Sequence, residues 1–142
     1  MELTIKEGAN GIHTLIAFNP DEWLEGGNNH IQTFLTAAFA TVRNPENRNT
    51  KSVYDLKNVF EKLDAYGRDY FIIFAHVDQN SGLFSECKGG LLESLAGFAS
   101  FRKRAFLACK NPEHVIISLN LSGVVVIYLP WLRDLILKPL QI

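Results

Sequence analysis

A short, fully apolar segment constrains the fold of this chain more than any other feature. Residues 70–75 read YFIIFA and lie between Asp69 and His76. An uninterrupted apolar run of this length is typical of a strand that helices cover on both faces, as in parallel sheets. Residues 2–5 and 12–18 have the composition of two more strands. Strands that alternate with helices indicate the α/β class, so we expect an α/β fold.

Helix-start signals separate the expected strands. Asn19 can cap a helix with Pro20 at its first position, and Asn28 or Asn29 can cap a second helix. Ser52, followed three residues later by an aspartate, has the pattern of a cap for a third helix. Two more helices are expected at residues 91–98 and 101–107.

Length and charge pattern divide the 142 residues into two parts. Residues 1–110 have the size of one partial α/β domain, whereas residues 111–142 form an apolar tail of uncertain status. Within the tail, residues 115–132 carry no charge over eighteen positions, which is the lower limit for a membrane helix. Their β-branched residues and Pro130 favour two buried strands or a malformed tail instead, so a membrane segment is the weaker alternative.

Composition gives no overall electrostatic signal for a particular partner, so partners must be inferred from individual sites. Fourteen Lys and Arg against fifteen Asp and Glu give a net charge of −1, without the basic excess of a nucleic-acid or lipid binder. Arg102, Lys103 and Arg104 are expected to form a solvated helix face. Cys87 and Cys109 form no C-x-x-C pair, and residues 1–11 lack the basic and apolar regions of a signal peptide, so a reducing, cytoplasmic setting is expected.

His76 is the first candidate for a functional residue. It directly follows an apolar strand, and the carboxyl ends of strands in α/β sheets are where ligands gather. A neutral imidazole there suits zinc, manganese or iron, although a histidine that is merely hydrogen-bonded at a strand end fits equally well. Asp78 either orients a metal-bound histidine through a hydrogen bond or caps the QNSG turn, and the turn is favoured.

Two longer stretches resemble a known family. MELTIKEGANGIHTLIAFNPDEW, followed by FIIFAHVDQNSGL, is similar to the middle of a PHP (polymerase and histidinol phosphatase) domain. The form it resembles most is the bacterial one fused to an SMC-like ATPase, and the likeness spans residues 2–106. It implies a distorted β/α barrel, a divalent metal such as zinc or manganese, phosphate-ester or nucleic-acid substrates, and Glu2, His13 and His76 as metal ligands.

Departures from that family limit the expected activity. The family's opening His-x-His and closing Asp-x-His are both missing from this sequence. We therefore expect an internal fragment from a truncated reading frame, with an incomplete metal site and weak or no phosphoesterase activity. The alternative is a non-catalytic remnant that acts as an interaction or oligomerisation module, in which another copy or a partner covers exposed sheet edges.

The proposed ligands can meet only in one of two hairpin registers. If residues 7–10 form the loop, Glu2 lies opposite Leu15, on the same face as His13 and about 6.7 Å from it along the strand. If Asn10 and Gly11 form a two-residue turn instead, Glu2 lies roughly 20 Å from His13. The sequence leaves both registers open, and it also leaves open that the two strands do not pair at all.

Overall fold

The computed structural model describes residues 1–45, 47, 50–109, 115–120 and 123–128. From Cys109 onward, the description covers the backbone alone. Most of the tail expected at residues 111–142 therefore lies outside the described residues, and the domain boundary at residue 110 stays a prediction.

Strands and short helices alternate along most of the chain. The strands are β1 Glu2–Lys6, β2 Ile12–Phe18, β3 Lys51–Asp55, β4 Tyr70–Phe74, β5 Ala105–Cys109, β6 Val115–Asn120 and β7 Gly123–Tyr128. The helices are α1 Pro20–Trp23, α2 His30–Ala38, α3 Leu56–Asp64, α4 Leu83–Glu86, α5 Leu91–Ala96 and α6 Ala99–Arg104, with a 3-10 turn at Glu25–Gly27.

One sheet collects all of these strands in the order β3-β1-β2-β4-β5-β6-β7. β3 is parallel to β1 and β5 is parallel to β4, whereas β2 is antiparallel to both β1 and β4. The strands β1, β3, β4 and β5 therefore share one direction. Their carboxyl ends meet at one edge of the sheet, where β2 begins.

The α/β class is confirmed, but a barrel of the PHP type is not shown. The described pairings run from β3 at one end of the sheet to β7 at the other, and none of them joins the two ends. The sheet is also mixed, whereas the apolar run at residues 70–75 predicted parallel neighbours. A tight hairpin explains the difference, because β1 and β2 are too close in sequence for a parallel crossover.

The two faces of the sheet have different surroundings. Leu3, Ile5, Ile12, Ile72 and Phe74 belong to the buried core that the helices cover. Strand alternation places Glu2, Thr4, His13, Leu15, Phe71, Ile73 and Phe106 on the opposite face. The expectation that helices cover both faces of β4 is wrong at Phe71, which is 44% exposed.

Aromatic packing anchors the helices to their face of the sheet. Phe60 of α3 lies 6.3 Å from Phe74 and 5.8 Å from Phe101 between ring centroids, and all three side chains are fully buried. Trp23 of α1 is also fully buried, and its indole N–H donates to the Asp69 carbonyl over 2.7 Å. These contacts hold both ends of β4 against the helices.

Two helix predictions are confirmed and two need correction. The side chains of Asn19 and Asn29 cap α1 and α2 as expected. Ser52 caps no helix, because it lies within β3, and Asp55 is the residue that caps α3. The helix expected at residues 101–107 ends at Arg104, since the apolar residues after it pair with β4 as strand β5.

The uncharged region after residue 114 contains strands where the structure describes it. β6 pairs with β5 and β7 pairs with β6, both antiparallel. Within the described residues, no helix combines the length and the apolar character needed to cross a membrane. The expected cytoplasmic location stays a prediction.

Candidate functional site

The carboxyl edge of the sheet, defined by the ends of β1, β3, β4 and β5 and the start of β2, brings two of the predicted residues together. His13 is the second residue of β2, and His76 follows β4 after one intervening residue. Since β2 runs antiparallel to β4, the start of one strand lies beside the end of the other. Backbone hydrogen bonds join them, from Ala75 N–H to the His13 carbonyl (3.1 Å) and from His13 N–H to the Ser81 carbonyl (3.0 Å).

The two imidazoles are in direct contact. His13 Nδ1 lies 3.3 Å from His76 Nε2, and the rings meet edge to face at 78° with their centroids 5.2 Å apart. The nitrogen separation slightly exceeds the usual range of a hydrogen bond, about 2.7–3.2 Å. It equals the separation of about 3.3 Å expected between two imidazole nitrogens that share one tetrahedral zinc ion.

His76 is held in an unusual backbone conformation. Its φ is 33°, in the left-handed region that costs a residue with a side chain about 1–2 kcal/mol. Gly82 permits the close approach of the loop to His76, since a Cβ at Gly82 would clash with the His76 carbonyl oxygen. The buried Nδ1 of His76 also has no hydrogen-bond partner in the described structure. Stability alone would not select these features.

Glu2 lies on the same face as His13. The first of the two hairpin registers is observed, with Glu2 opposite Leu15 and Thr4 opposite His13. A hydrogen bond from Gly11 N–H to the Glu7 carbonyl closes the loop. Glu2 and His13 are therefore offset by two residues, or about 6.7 Å, along the ladder.

The donor set fits a divalent cation only in part. Two imidazole nitrogens at ligand spacing suit zinc or manganese, but a catalytic zinc ion usually has three protein ligands. In the described ranges, no group of three or more His, Cys, Asp and Glu side chains is arranged to hold a metal. The assignment of Glu2, His13 and His76 as metal ligands stays a prediction. Of the three, only the two histidines have nitrogen atoms already at the spacing of two ligands.

Asp78 lies in the turn that follows His76. Its side chain is exposed, and the turn closes through hydrogen bonds from Gln79 N–H to the His76 carbonyl and from Gly82 N–H to the Gln79 carbonyl. This location suits both predicted roles of Asp78, so its contribution to orienting a metal-bound histidine stays a prediction.

Glu86 is a residue that the sequence analysis missed. It is a buried carboxylate, 4% exposed, which accepts hydrogen bonds from Asn10 N–H (2.7 Å) and the Ser85 hydroxyl (3.1 Å). The hydrogen bond from the Asn10 backbone is the main reason that the pKa of Glu86 lies below its usual value. The surrounding SECKGG sequence carries no motif, so only the tertiary contact with the hairpin turn identifies it.

Cys87 is not an activated nucleophile. Burial raises the pKa of its thiol to about 12, and the nearby carboxylates of Glu7 and Glu86 add to the shift. Because the thiolate is the reactive form of cysteine, this thiol is inert near neutral pH.

No protein-family model, curated protein or solved structure matches this chain. The likeness to PHP domains therefore stays a hypothesis based on short sequence motifs. What can be stated of this site is its geometry: two imidazoles in contact at the carboxyl edge of an α/β sheet.

Proposed function

We propose that this chain is a PHP-like domain in which His13 and His76 hold one divalent cation, zinc or manganese, and that its phosphoesterase activity is weak or nil. The observation that carries the proposal is the 3.3 Å separation between His13 Nδ1 and His76 Nε2. The strained backbone of His76 supports it, because such strain is commonly retained at functional sites.

In this proposal, different residues bind the cation and attract the phosphate group. His13 and His76 bind the cation through neutral nitrogens, and Glu2 extends the same face with a carboxylate. Lys6 is exposed and shares this face by strand alternation, so its ammonium group can attract the phosphate of an ester. A bound divalent cation supplies a water of lowered pKa and polarises the phosphoryl oxygen. Two imidazoles offer less support for this chemistry than a complete multi-metal site.

Metal titration by calorimetry tests the proposal. The wild-type chain should bind one zinc or manganese ion with micromolar affinity, and His13→Ala or His76→Ala should weaken binding by at least about 100-fold, since each removes a direct ligand. His30→Ala is the matched control, because His30 lies on α2 away from the pair. Absence of binding at micromolar metal, or an equal loss in the His30 variant, would refute the proposal.

Hydrolysis assays test the catalytic part. With manganese present, the wild-type chain should cleave a simple aryl phosphate monoester or diester slowly, and any turnover above background should disappear in His13→Ala and in His76→Ala. Lys6→Met should raise KM more than it lowers kcat, because it removes an attraction for the phosphate group. Turnover that survives both histidine variants would assign the activity to a contaminant.

A second candidate function is self-association through the sheet face opposite the helices. Phe71 is 44% exposed there and its ring packs 5.4 Å from that of Phe106, which gives this face an aromatic surface. Exposed apolar surface of this kind often marks an interface. A second copy of the chain offers the same surface and would pair with it about a two-fold axis.

Light scattering coupled to size exclusion tests this alternative. The wild-type chain should form dimers, and Phe71→Asp should shift it to monomer. Phe84→Asp is a matched control, because Phe84 is 46% exposed but lies on α4. A wild-type chain that remains monomeric at high concentration would contradict self-association.

A further inference from the structure

Glu86 connects the two chain segments that carry the histidine pair. A carboxylate is almost never buried without partners, and the partners of Glu86 come from two places that are far apart in sequence. One is Asn10, in the turn before β2, and the other is Ser85, in helix α4, which follows the loop after β4. We call Asn10, Ser85 and Glu86 the carboxylate bracket.

On the hairpin side, the bracket fixes the turn that leads into His13. Glu86 accepts the Asn10 backbone N–H at 2.7 Å and lies 3.4 Å from the Asn10 side-chain amide nitrogen. Gly8 allows this approach, because its φ is +61° and a Cβ there would lie 2.7 Å from the Glu86 carbonyl oxygen. His13 follows Asn10 by three residues, so a shift of the turn moves the start of β2.

On the other side, the bracket fixes the loop that carries His76. Glu86 N–H donates to the Gly82 carbonyl and Phe84 N–H to the Val77 carbonyl, each over 3.1 Å. The Ser85 hydroxyl lies 2.9 Å from the Gln79 carbonyl oxygen and 3.1 Å from the Glu86 carboxylate. Backbone hydrogen bonds therefore tie helix α4 to the loop from His76 to Gly82, and the Glu86 carboxylate reaches this loop through the Ser85 hydroxyl.

We propose that Glu86 is a positioning residue, which holds the His13 and His76 segments in the register that brings their imidazole nitrogens to 3.3 Å. It does not touch the imidazoles and acts through the backbone on either side. The inference deepens the proposed function. Only its prediction for zinc affinity rests on that function, because the contact between His13 and His76 exists without metal.

Nuclear magnetic resonance of the metal-free protein tests the positioning role directly. Long-range ¹H–¹⁵N spectra report the tautomer and surroundings of each imidazole. Glu86→Ala should shift the resonances of His13 and His76 and leave those of His30 unchanged, whereas Glu86→Gln, which keeps one acceptor for Asn10, should shift them less. Glu93→Ala is the matched control, since it removes an exposed carboxylate of α5.

The outcomes separate this inference from the proposed function. If Glu86→Ala leaves the His13 and His76 resonances in place, the positioning role is wrong, whatever the metal does. If Glu86→Ala does not fold, Glu86→Gln and Ser85→Ala decide by the same readout. In zinc titrations, Glu86→Ala should weaken binding by about tenfold and Glu93→Ala should not, as expected for a group that supports a ligand. A wild-type chain that binds no zinc refutes the metal site alone.

Discussion

The polar clusters at the two edges of the sheet differ in how completely their groups are satisfied. At the amino edge, where β4 and β5 begin, Arg104 donates to the Asp69 carboxylate (3.0 Å) and to the Tyr70 carbonyl (2.8 Å). Its guanidinium also lies 4.4 Å from the Tyr70 ring centroid, and the Tyr70 hydroxyl donates to Asp64 over 2.7 Å. Opposite charges and matched donors join these four residues, although the buried Nε of the neighbouring Arg68 has no hydrogen-bond partner in the described structure.

The carboxyl edge has a different character. His76 has a positive φ and a buried Nδ1 without a hydrogen-bond partner in the described structure, and its Nε2 meets another imidazole at more than the usual hydrogen-bond distance. Each of these features costs stability that a purely structural cluster would not forfeit. If the proposed function holds, the amino edge serves folding and the carboxyl edge serves binding, at some cost in stability.

Gly82→Ala should cause the largest loss of stability, and the substitution disturbs the carboxyl edge alone. A Cβ at this position would lie 2.3 Å from the His76 carbonyl oxygen and 2.8 Å from that of Val77, both backbone atoms that cannot rotate away. We expect a loss of about 3 kcal/mol in the free energy of unfolding, measured by urea denaturation. Gly97→Ala is the control, because a Cβ there meets nothing closer than 3.6 Å. Equal stability of the two variants would show that the loop after β4 is not held in place.

Arg104→Ala should have the next largest effect and acts on the amino edge. The side chain of Arg104 is only 16% exposed, and its loss leaves the Tyr70 carbonyl without its charged donor. We expect a loss of about 2 kcal/mol in unfolding free energy with zinc affinity unchanged. Lys103→Ala, on the same helix but exposed, should change stability by less than about 0.5 kcal/mol. A drop in zinc affinity of the folded Arg104 variant would show that the two edges are not independent.

The sequence predicts local features of the fold better than it predicts pairing. Asn19 and Asn29 cap their helices because a cap depends on neighbours within three residues. Ser52 has the same local pattern, but the residues around it pair with β1 and form a strand. Residues 105–107 likewise extend a helical pattern until pairing with β4 overrides it. Strand partners are distant in sequence, so local propensity cannot anticipate them.

The candidate site follows the same rule. The position of His76 at a strand end could be read from the apolar run before it, and one of the two hairpin registers placed Glu2 and His13 on the same face. Glu86 could not be predicted, because its partner Asn10 lies 76 residues away. The prediction that Arg104 belongs to a solvated basic face is wrong for a similar reason. Its partners Asp69 and Tyr70 lie more than thirty residues earlier in the sequence.

The two edges should also lose their contributions to the free energy of unfolding at opposite ends of the pH range. This change in stability should be smaller than the loss caused by Arg104→Ala. Hydrogen bonds from Asn10 lower the pKa of Glu86, so its stabilising effect is complete above the pKa of an unfolded glutamate and is lost as pH falls through the lower folded pKa. Burial raises the pKa of Tyr70, so its contribution is complete below the unfolded value and is lost as pH rises toward the folded one.

Urea titrations across pH can separate the two contributions. Glu86→Gln should flatten the acid limb of the stability curve and leave the alkaline limb as it is, whereas Tyr70→Phe should do the reverse. Glu93→Gln, which alters an exposed carboxylate, is the control for the acid limb. An acid limb that Glu86→Gln leaves unchanged would show that other carboxylates dominate it.

The smallest expected change in stability comes from His76→Gly, which should raise the free energy of unfolding where the other substitutions lower it. Glycine adopts a positive φ without the steric penalty that His76 pays at 33°, so His76→Gly should raise the free energy of unfolding by about 1 kcal/mol. The same change removes an imidazole from the pair and should abolish zinc binding. His30→Gly is the control, because it places glycine at the first residue of α2, where it should lower stability. A variant that is both more stable and unable to bind zinc would identify His76 as a residue kept for binding at the expense of stability. If His76→Gly lowers stability instead, the contacts of His76 and the greater entropy of glycine in the unfolded chain together outweigh the strain at His76, and the carboxyl edge stabilises the fold as the amino edge does.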